Sequence, residues 1–144
     1  MLKLTKKEYA EIRTWIYRNA RALELALWRY FFENGDKADV VSSLSFYQNG
    51  DGGFGHALEP DSWNPESSPY TTLYAVNTLK SIDFFDTTHP VYTGLLRFLD
   101  SGAHYTDDYG WLFSIPSNNA HAHAPWWTYS PEANTYESIG LTAA

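Results

Sequence analysis

Apolar residues recur at three- and four-residue intervals along most of this chain, and no run of them alternates with polar residues. That pattern belongs to helices with one buried face, and it leaves little room for a sheet. Thr5-Lys6-Lys7-Glu8 opens the first run as a capping box, in which the Thr hydroxyl and the Glu carboxylate each take an unpaired backbone N–H. It predicts a helix over 6–18 with Tyr9, Ile12, Trp15 and Ile16 on the inner face. Leu23, Leu27, Tyr30 and Phe31, beside Ala22 and Ala26, form a second run that closes at Asn34-Gly35. Nothing between Asn19 and Arg21 forces a break, and the reading adopted is two helices rather than one long one.

Asp36 caps the third helix, with Val40, Val41, Leu44 and Tyr47 inward and an end at Asn49-Gly50. Ser68-Pro69 restarts the helical pattern with a cap and a proline at the first helical position, and Leu73, Val76, Leu79 and Ile82 follow. His89-Pro90 opens the fifth helix, with Val91, Leu95, Leu96 and Leu99 inward, and Ser101-Gly102 ends it. Asn134-Thr135-Tyr136-Glu137 reads as a sixth helix start not finished by Ala144, as expected of a fragment or of an end completed by a partner. Only Tyr105 and Ser114–Pro116 offer short strand candidates. The fold class expected is all-α, as one domain over 1–144.

Two long polar stretches, 50–67 and 103–133, separate these helices. Loops of such length in a compact domain are either functional or disordered, and anchors such as Phe54, Leu58 and Trp63 favour order in the first. A faint repeat links the two stretches. Asp51-Gly52-Gly53-Phe54 aligns with Asp108-Tyr109-Gly110-Trp111 at an offset of 57, each after a helix and before a proline-containing loop. Helix pairs repeated in this way bury their faces by stacking on neighbours.

Composition removes several function classes. Residues 1–29 hold seven Lys and Arg against three acids, a local +4, and residues 30–144 hold three against fourteen, a local −11. A chain so acidic lacks the basic face that nucleic acid requires. With no cysteine, disulfides and thiolate zinc sites are excluded. The N-terminal residues MLKLTKKEYA carry no apolar signal core, and no run approaches a membrane span, so a cytoplasmic protein is expected. Six Trp, eleven Tyr and eight Phe supply rigid rings for a core or for cavity walls.

Gln48-Asn49-Gly50-Asp51-Gly52-Gly53-Phe54-Gly55 resembles the Q-x-x-D-G-G-F/W turn of the terpenoid cyclase and protein prenyltransferase superfold. The longer string through His56-Ala57-Leu58-Glu59-Pro60-Asp61 and Ser67-Ser68-Pro69, with Ala124-Pro125-Trp126-Trp127, is similar to uncharacterised bacterial proteins labelled prenyltransferase-like or squalene-cyclase-like. The resemblance implies an α/α toroid built from helical-hairpin repeats. This chain would supply about half of it, with its two long ordered loops at one end. It also implies that Gln48, Asp51, Gly52, Gly53 and Phe54 are a structural turn joining helices. Physical chemistry agrees: a turn Asp bonds nearby backbone amides, glycines permit positive φ or close approach, and Phe54 plugs the gap between helices. The superfold's zinc ligands and its Asp-x-Asp-Asp acid segment have no counterparts here, so neither activity carries over.

The residues placed for chemistry lie just beyond that turn. His56, Glu59 and Asp61 put an imidazole and two carboxylates around Pro60, suited to general acid–base work or to a hard cation. The competing reading is that the two acids cap helix starts. Trp63, Trp111, His123, Trp126 and Trp127 are candidates for walls of a ligand cleft, with core packing as the alternative. His121 and His123, two positions apart, could join Asp61 around a metal, although no metal site is assigned and the cofactor is left unknown. The function expected is the binding or transformation of a small molecule, isoprenoid or carbohydrate, in an acidic, aromatic-lined cleft. The alternatives are a non-catalytic binding or scaffold module, and a homo-oligomer or a missing C-terminal half to complete the toroid.

Overall fold

In the computed structural model, which describes residues 3–108 and 110–132, the chain is mostly helical. It divides into two compact units, Met1–Leu44 and Ser45–Ala144. The expected helix start at Asn134 and the aromatic Tyr109 of the second turn lie outside the described residues.

In the first unit, helix α1 spans Lys6–Asn19 and α2 spans Ala22–Phe32. The capping box is formed: the Glu8 amide donates to Thr5 Oγ1 at 3.2 Å, and the Thr5 amide to Glu8 Oε2 at 2.7 Å. Ala20 and Arg21 are extended, which breaks the chain into two helices. That break lets Tyr9 stack on Trp28 with ring centroids 5.5 Å apart. It also gathers three donors on Glu33, at the end of α2. Arg13 Nε and Tyr17 Oη each donate at 2.6 Å, and Trp28 Nε1 at 2.8 Å. These hydrogen bonds hold the Glu33 carboxyl down at about 2, the Tyr17 hydroxyl being the largest cause.

The stripe expected to be inward on α1 is not buried: no residue of this helix is, and Trp15 stands 62% exposed. Helix periodicity marks an apolar face but does not say that anything covers it. Helix α3, Lys37–Ser45, begins beside Asp36, whose Oδ1 accepts from the Ala38 amide at 2.9 Å, and it buries Val40, Val41 and Leu44. It stops before Asn49-Gly50, because the chain leaves the helix to build a turn whose own hydrogen bonds need 48–54.

The second unit is organised by that turn. Gln48 and Phe54 pair antiparallel, and Phe54 pairs again with Ser68. Phe54 itself is 0% exposed, and its amide donates to Thr72 Oγ1 at 3.1 Å. Helix α4, Pro69–Ser81, starts as its Ser-Pro signal demands, with Ser68 Oγ accepting from the Thr71 amide. Its buried positions are Pro69, Thr71, Thr72, Ala75, Thr78 and Leu79, followed by Ile82, whereas Leu73 and Val76 are only half-buried. Helix α5, Pro90–Asp100, is capped by His89 and buries Val91, Gly94, Leu95 and Phe98. Leu96 and Leu99, expected inward, are exposed. The buried set follows the i, i+3, i+4, i+7 rule around Gly94 because Gly94 must face the turn. A Cβ at Gly52, where φ is +96°, would sit 1.9 Å from the Gly94 carbonyl oxygen. Gln48 Nε2 donates to the Gly52 and Val91 carbonyls, and Arg97 Nη2 to the Gly50 carbonyl at 2.9 Å.

The second turn is a two-stranded hairpin, β1 Tyr105–Thr106 with β2 Gly110–Trp111, where Tyr105 faces Trp111. Gln48 faces Phe54 in the first turn, so the pairing recurs with the offset of 57 that the sequence alignment gave. After it, two 3-10 turns, Pro116–Ala120 and Pro125–Trp127, carry the second long loop back onto the first. Asn64 joins the two, its Nδ2 donating to Ser117 Oγ at 2.9 Å and Asn118 Oδ1 at 2.8 Å. Ser62 pairs with His123, and the Ala124 amide donates to the Asp61 carbonyl. Among the described residues, no helix is long and apolar enough to cross a membrane.

Candidate functional site

Two clusters of chemically capable side chains form on the loops of the second unit, and they divide the residues singled out by sequence. The first is a cleft of about 480 Å³ lined by Asn49, Asp51, His56, Pro65, Glu66, Ser67 and His104. The second is the junction where Asp61 meets Trp127.

In the cleft, both histidines sit in the left-handed backbone region, His56 at φ 55° and His104 at φ 62°. Non-glycine residues seldom hold that conformation, and Asn34, Ala57 and Asp83 share it among the described residues. The His56 backbone is pinned by its amide to the Asn64 carbonyl, 3.0 Å away. Its ring Nε2 lies 2.8 Å from Asn49 Oδ1. The Asn49 amide is oriented without ambiguity, because its Nδ2 reaches the Pro65 carbonyl oxygen, an atom that only accepts, at 2.9 Å. Asn49 Oδ1 therefore accepts and His56 Nε2 carries the proton, so that in the neutral ring the lone pair is on Nδ1.

His104 is pushed below the usual histidine range. Burial is the main cause, and it outweighs the nearby Glu66 and Asp51 charges and a hydrogen bond to the Ser67 backbone. The acids of the cleft lining are Asp51 and Glu66. Asp51 is half committed: its Oδ1 accepts from the Gly53 amide at 3.0 Å and from Ser67 Oγ at 2.7 Å. The donors of Asn49 and Ser67 are thus spent inside the protein, and the acceptor-bearing residues of the lining are Asp51, Glu66 and His56.

At the junction, Trp127 Nε1 donates to Asp61 Oδ1 at 2.5 Å. The Trp127 ring stacks on Phe113, 5.0 Å away and 12° from parallel, and meets Tyr70 edge-on at 4.6 Å. Burial raises the Tyr70 hydroxyl, and the Glu59 and Asp61 charges push it further in the same direction. Asp61 thus joins this aromatic cluster, and neither it nor Glu59 lines the His56 cleft. His123 is tied to its own loop, with Nδ1 2.6 Å from the His121 carbonyl and Nε2 3.1 Å from Thr128 Oγ1. Among the described residues no three His, Asp or Glu side chains gather to hold a metal ion, so His121, His123 and Asp61 do not assemble that site. Trp63 and Trp126 project into solvent, and Trp111 lies between Phe98 and Tyr105. None of these tryptophans lines the cleft.

His104, Glu66, Asn49 and Ser67 were not singled out by sequence. Each sits in ordinary polar loop composition, and only the folding of one loop over the other brings them to His56. The usable signal was positional: His104 stands immediately before Tyr105, the residue that aligns with Gln48 in the repeat. No family model, curated protein or solved structure matches this chain.

Proposed function

We propose that this chain is an α/α-toroid-type repeat domain that binds a small, donor-rich organic cation in the His56 cleft and moves a proton to or from it. The repeat reading is supported by the recurrence of one hairpin pairing after α3 and again after α5. The single observation that carries the function is the hydrogen-bond accounting of the cleft. Asp51, Glu66 and His56 Nδ1 offer acceptors, and the donors of Asn49 and Ser67 are already used. A molecule with N–H groups and positive charge complements that lining, and an apolar isoprenoid chain does not. His56 acts as the base through Nδ1, and Glu66 and Asp51 supply the counter-charge.

The test is titration with methylguanidinium and agmatine, with acetamide as the neutral control, followed by the ring resonances of His56 and His104. The cations are expected to move both rings in the millimolar range, and Glu66→Gln to weaken binding about tenfold, the low end for an exposed charged hydrogen bond. Identical responses to cations and acetamide would remove the reading.

A second reading, a partner-binding module, draws on the exposed rings of the first unit, Trp15, Phe31 and Phe32. Light scattering of the native chain tests it, since a scaffold that works by self-association gives the mass of a multimer.

A further inference from the structure

The turn that holds the helices together and the cleft that faces solvent are one hydrogen-bond chain. It starts at the Asp51 carboxylate, whose Oδ1 accepts. Ser67 Oγ, 2.7 Å away, must therefore donate its single proton to Asp51. With that proton committed, the Ser67 oxygen can only accept from Asn49 Nδ2 at 3.0 Å. The same Nδ2 donates its second proton to the Pro65 carbonyl. Asn49 Oδ1 is thereby turned toward His56, where it accepts from Nε2 at 2.8 Å. Each link leaves the next one direction only. The anchor is itself fixed, because the Gly53 amide holds Asp51 Oδ1 in place at 3.0 Å.

We infer that Asp51, Ser67 and Asn49 are positioning residues that lock His56 in the Nε2–H tautomer, so that the base presented to the cleft is always Nδ1. The inference rests on the reading of His56 as the base only for its functional meaning; the lock itself belongs to the ligand-free protein. An uncommitted imidazole divides its proton between two nitrogens, and a polarised chain ending in a carboxylate removes that freedom. The glycine turn thus serves two ends: it docks α5, and through Asp51 it sets the protonation geometry of a side chain five positions further on. Groups facing His56 across the cleft are Glu66 and His104, and neither is a link in the chain.

The lock is read directly from the imidazole nitrogens. The full chain, labelled with ¹⁵N-histidine and held at pH 8, gives long-range proton–nitrogen spectra in which a protonated ring nitrogen and a lone-pair nitrogen are widely separated. His56 is assigned by its loss in His56→Gln. The expected result is one tautomer, protonated at Nε2. Asn49→Ala removes the acceptor of the Nε2 proton, and Ser67→Ala leaves the Asn49 amide only the Pro65 carbonyl; both are expected to draw the two His56 nitrogens toward an averaged position, the first more fully. Circular dichroism checks that the fold persists in both. A wild-type His56 protonated at Nδ1, or already averaged, overturns the inference without any variant. So does a single Nε2–H tautomer that survives both substitutions. If the lock is found and no cation binds, the proposed function fails and the lock stands; if cations bind an averaged His56, the reverse holds.

Discussion

Replacing Gly52 and Gly50 by alanine, one at a time, sets two positions of a single turn against each other. At Gly52 the backbone φ is +96°, and the new methyl carbon would lie 1.9 Å from the Gly94 carbonyl oxygen and 2.5 Å from its carbon. Relief requires the first turn and α5 to separate by more than an ångström. That loosens Gln48 from the Val91 carbonyl and Arg97 from the Gly50 carbonyl. Holding an L-residue in that region costs about 1–3 kcal/mol, and overpacking adds about 1–3 kcal/mol. The sum is about 4 kcal/mol, a large share of the roughly 5–15 kcal/mol that holds a domain folded. With a urea slope of about 2 kcal/mol per molar, the midpoint falls by about 2 M. At Gly50 nothing lies within 4 Å of the added carbon, and the backbone is outside the left-handed region. There alanine only narrows the unfolded ensemble, for a gain of about 0.4–1 kcal/mol, and the midpoint rises by a few tenths molar. Urea unfolding followed by tryptophan fluorescence and far-ultraviolet dichroism reads both. Equal shifts at the two positions, or a Gly52→Ala loss below about 1 kcal/mol, would refute the close approach of turn and helix.

Three further outcomes are expected. Glu33 ionises at about 2 in the folded chain, below its ordinary 4.5. A depressed carboxyl contributes stability that is complete above its unfolded value and lost as pH falls through about 2, so Tyr17→Phe, which removes the largest cause, should raise the Glu33 titration seen by carbon-detected NMR. His104 is lowered by burial, so the unfolded chain binds its proton first. The sign follows: its contribution is complete above about 6.5 and declines as pH falls toward the depressed folded value, and His104→Gln should flatten that part of the stability profile. Trp127→Phe keeps a ring against Phe113 but deletes the indole donor to Asp61. The partly exposed Asp61 recovers water, so thermal unfolding should report a loss of about 1–2 kcal/mol, below the usual penalty for a large-to-small core change.

How legible the chain was depends on the range of the interaction. The helix starts at Thr5, Ser68 and His89 were readable because each is a contact between residues two or three positions apart. The first glycine turn was readable for the same reason: Asp51 bonds the Gly53 amide, and Gly52 takes the positive φ, within a few residues. The Gln48–Phe54 pairing recurs at Tyr105–Trp111, at the offset of 57 that the spacing gave.

The burial of helix faces was not readable from period alone. Leu96 and Phe98 are equally apolar on α5, and only the need to place Gly94 against Gly52 chooses Phe98. The candidate site was less legible still. His56, Glu59 and Asp61 lie within six positions, yet His56 turns toward Asn49 while Asp61 turns toward a tryptophan 66 positions away. His104 and Glu66 reach the same cleft from separate loops. The sequence by itself determined where helices begin and which glycines must bend, because backbone N–H groups and φ angles are satisfied locally. Tertiary structure alone decided which acids meet which imidazoles, because those meetings are set by loop-on-loop packing across tens of residues.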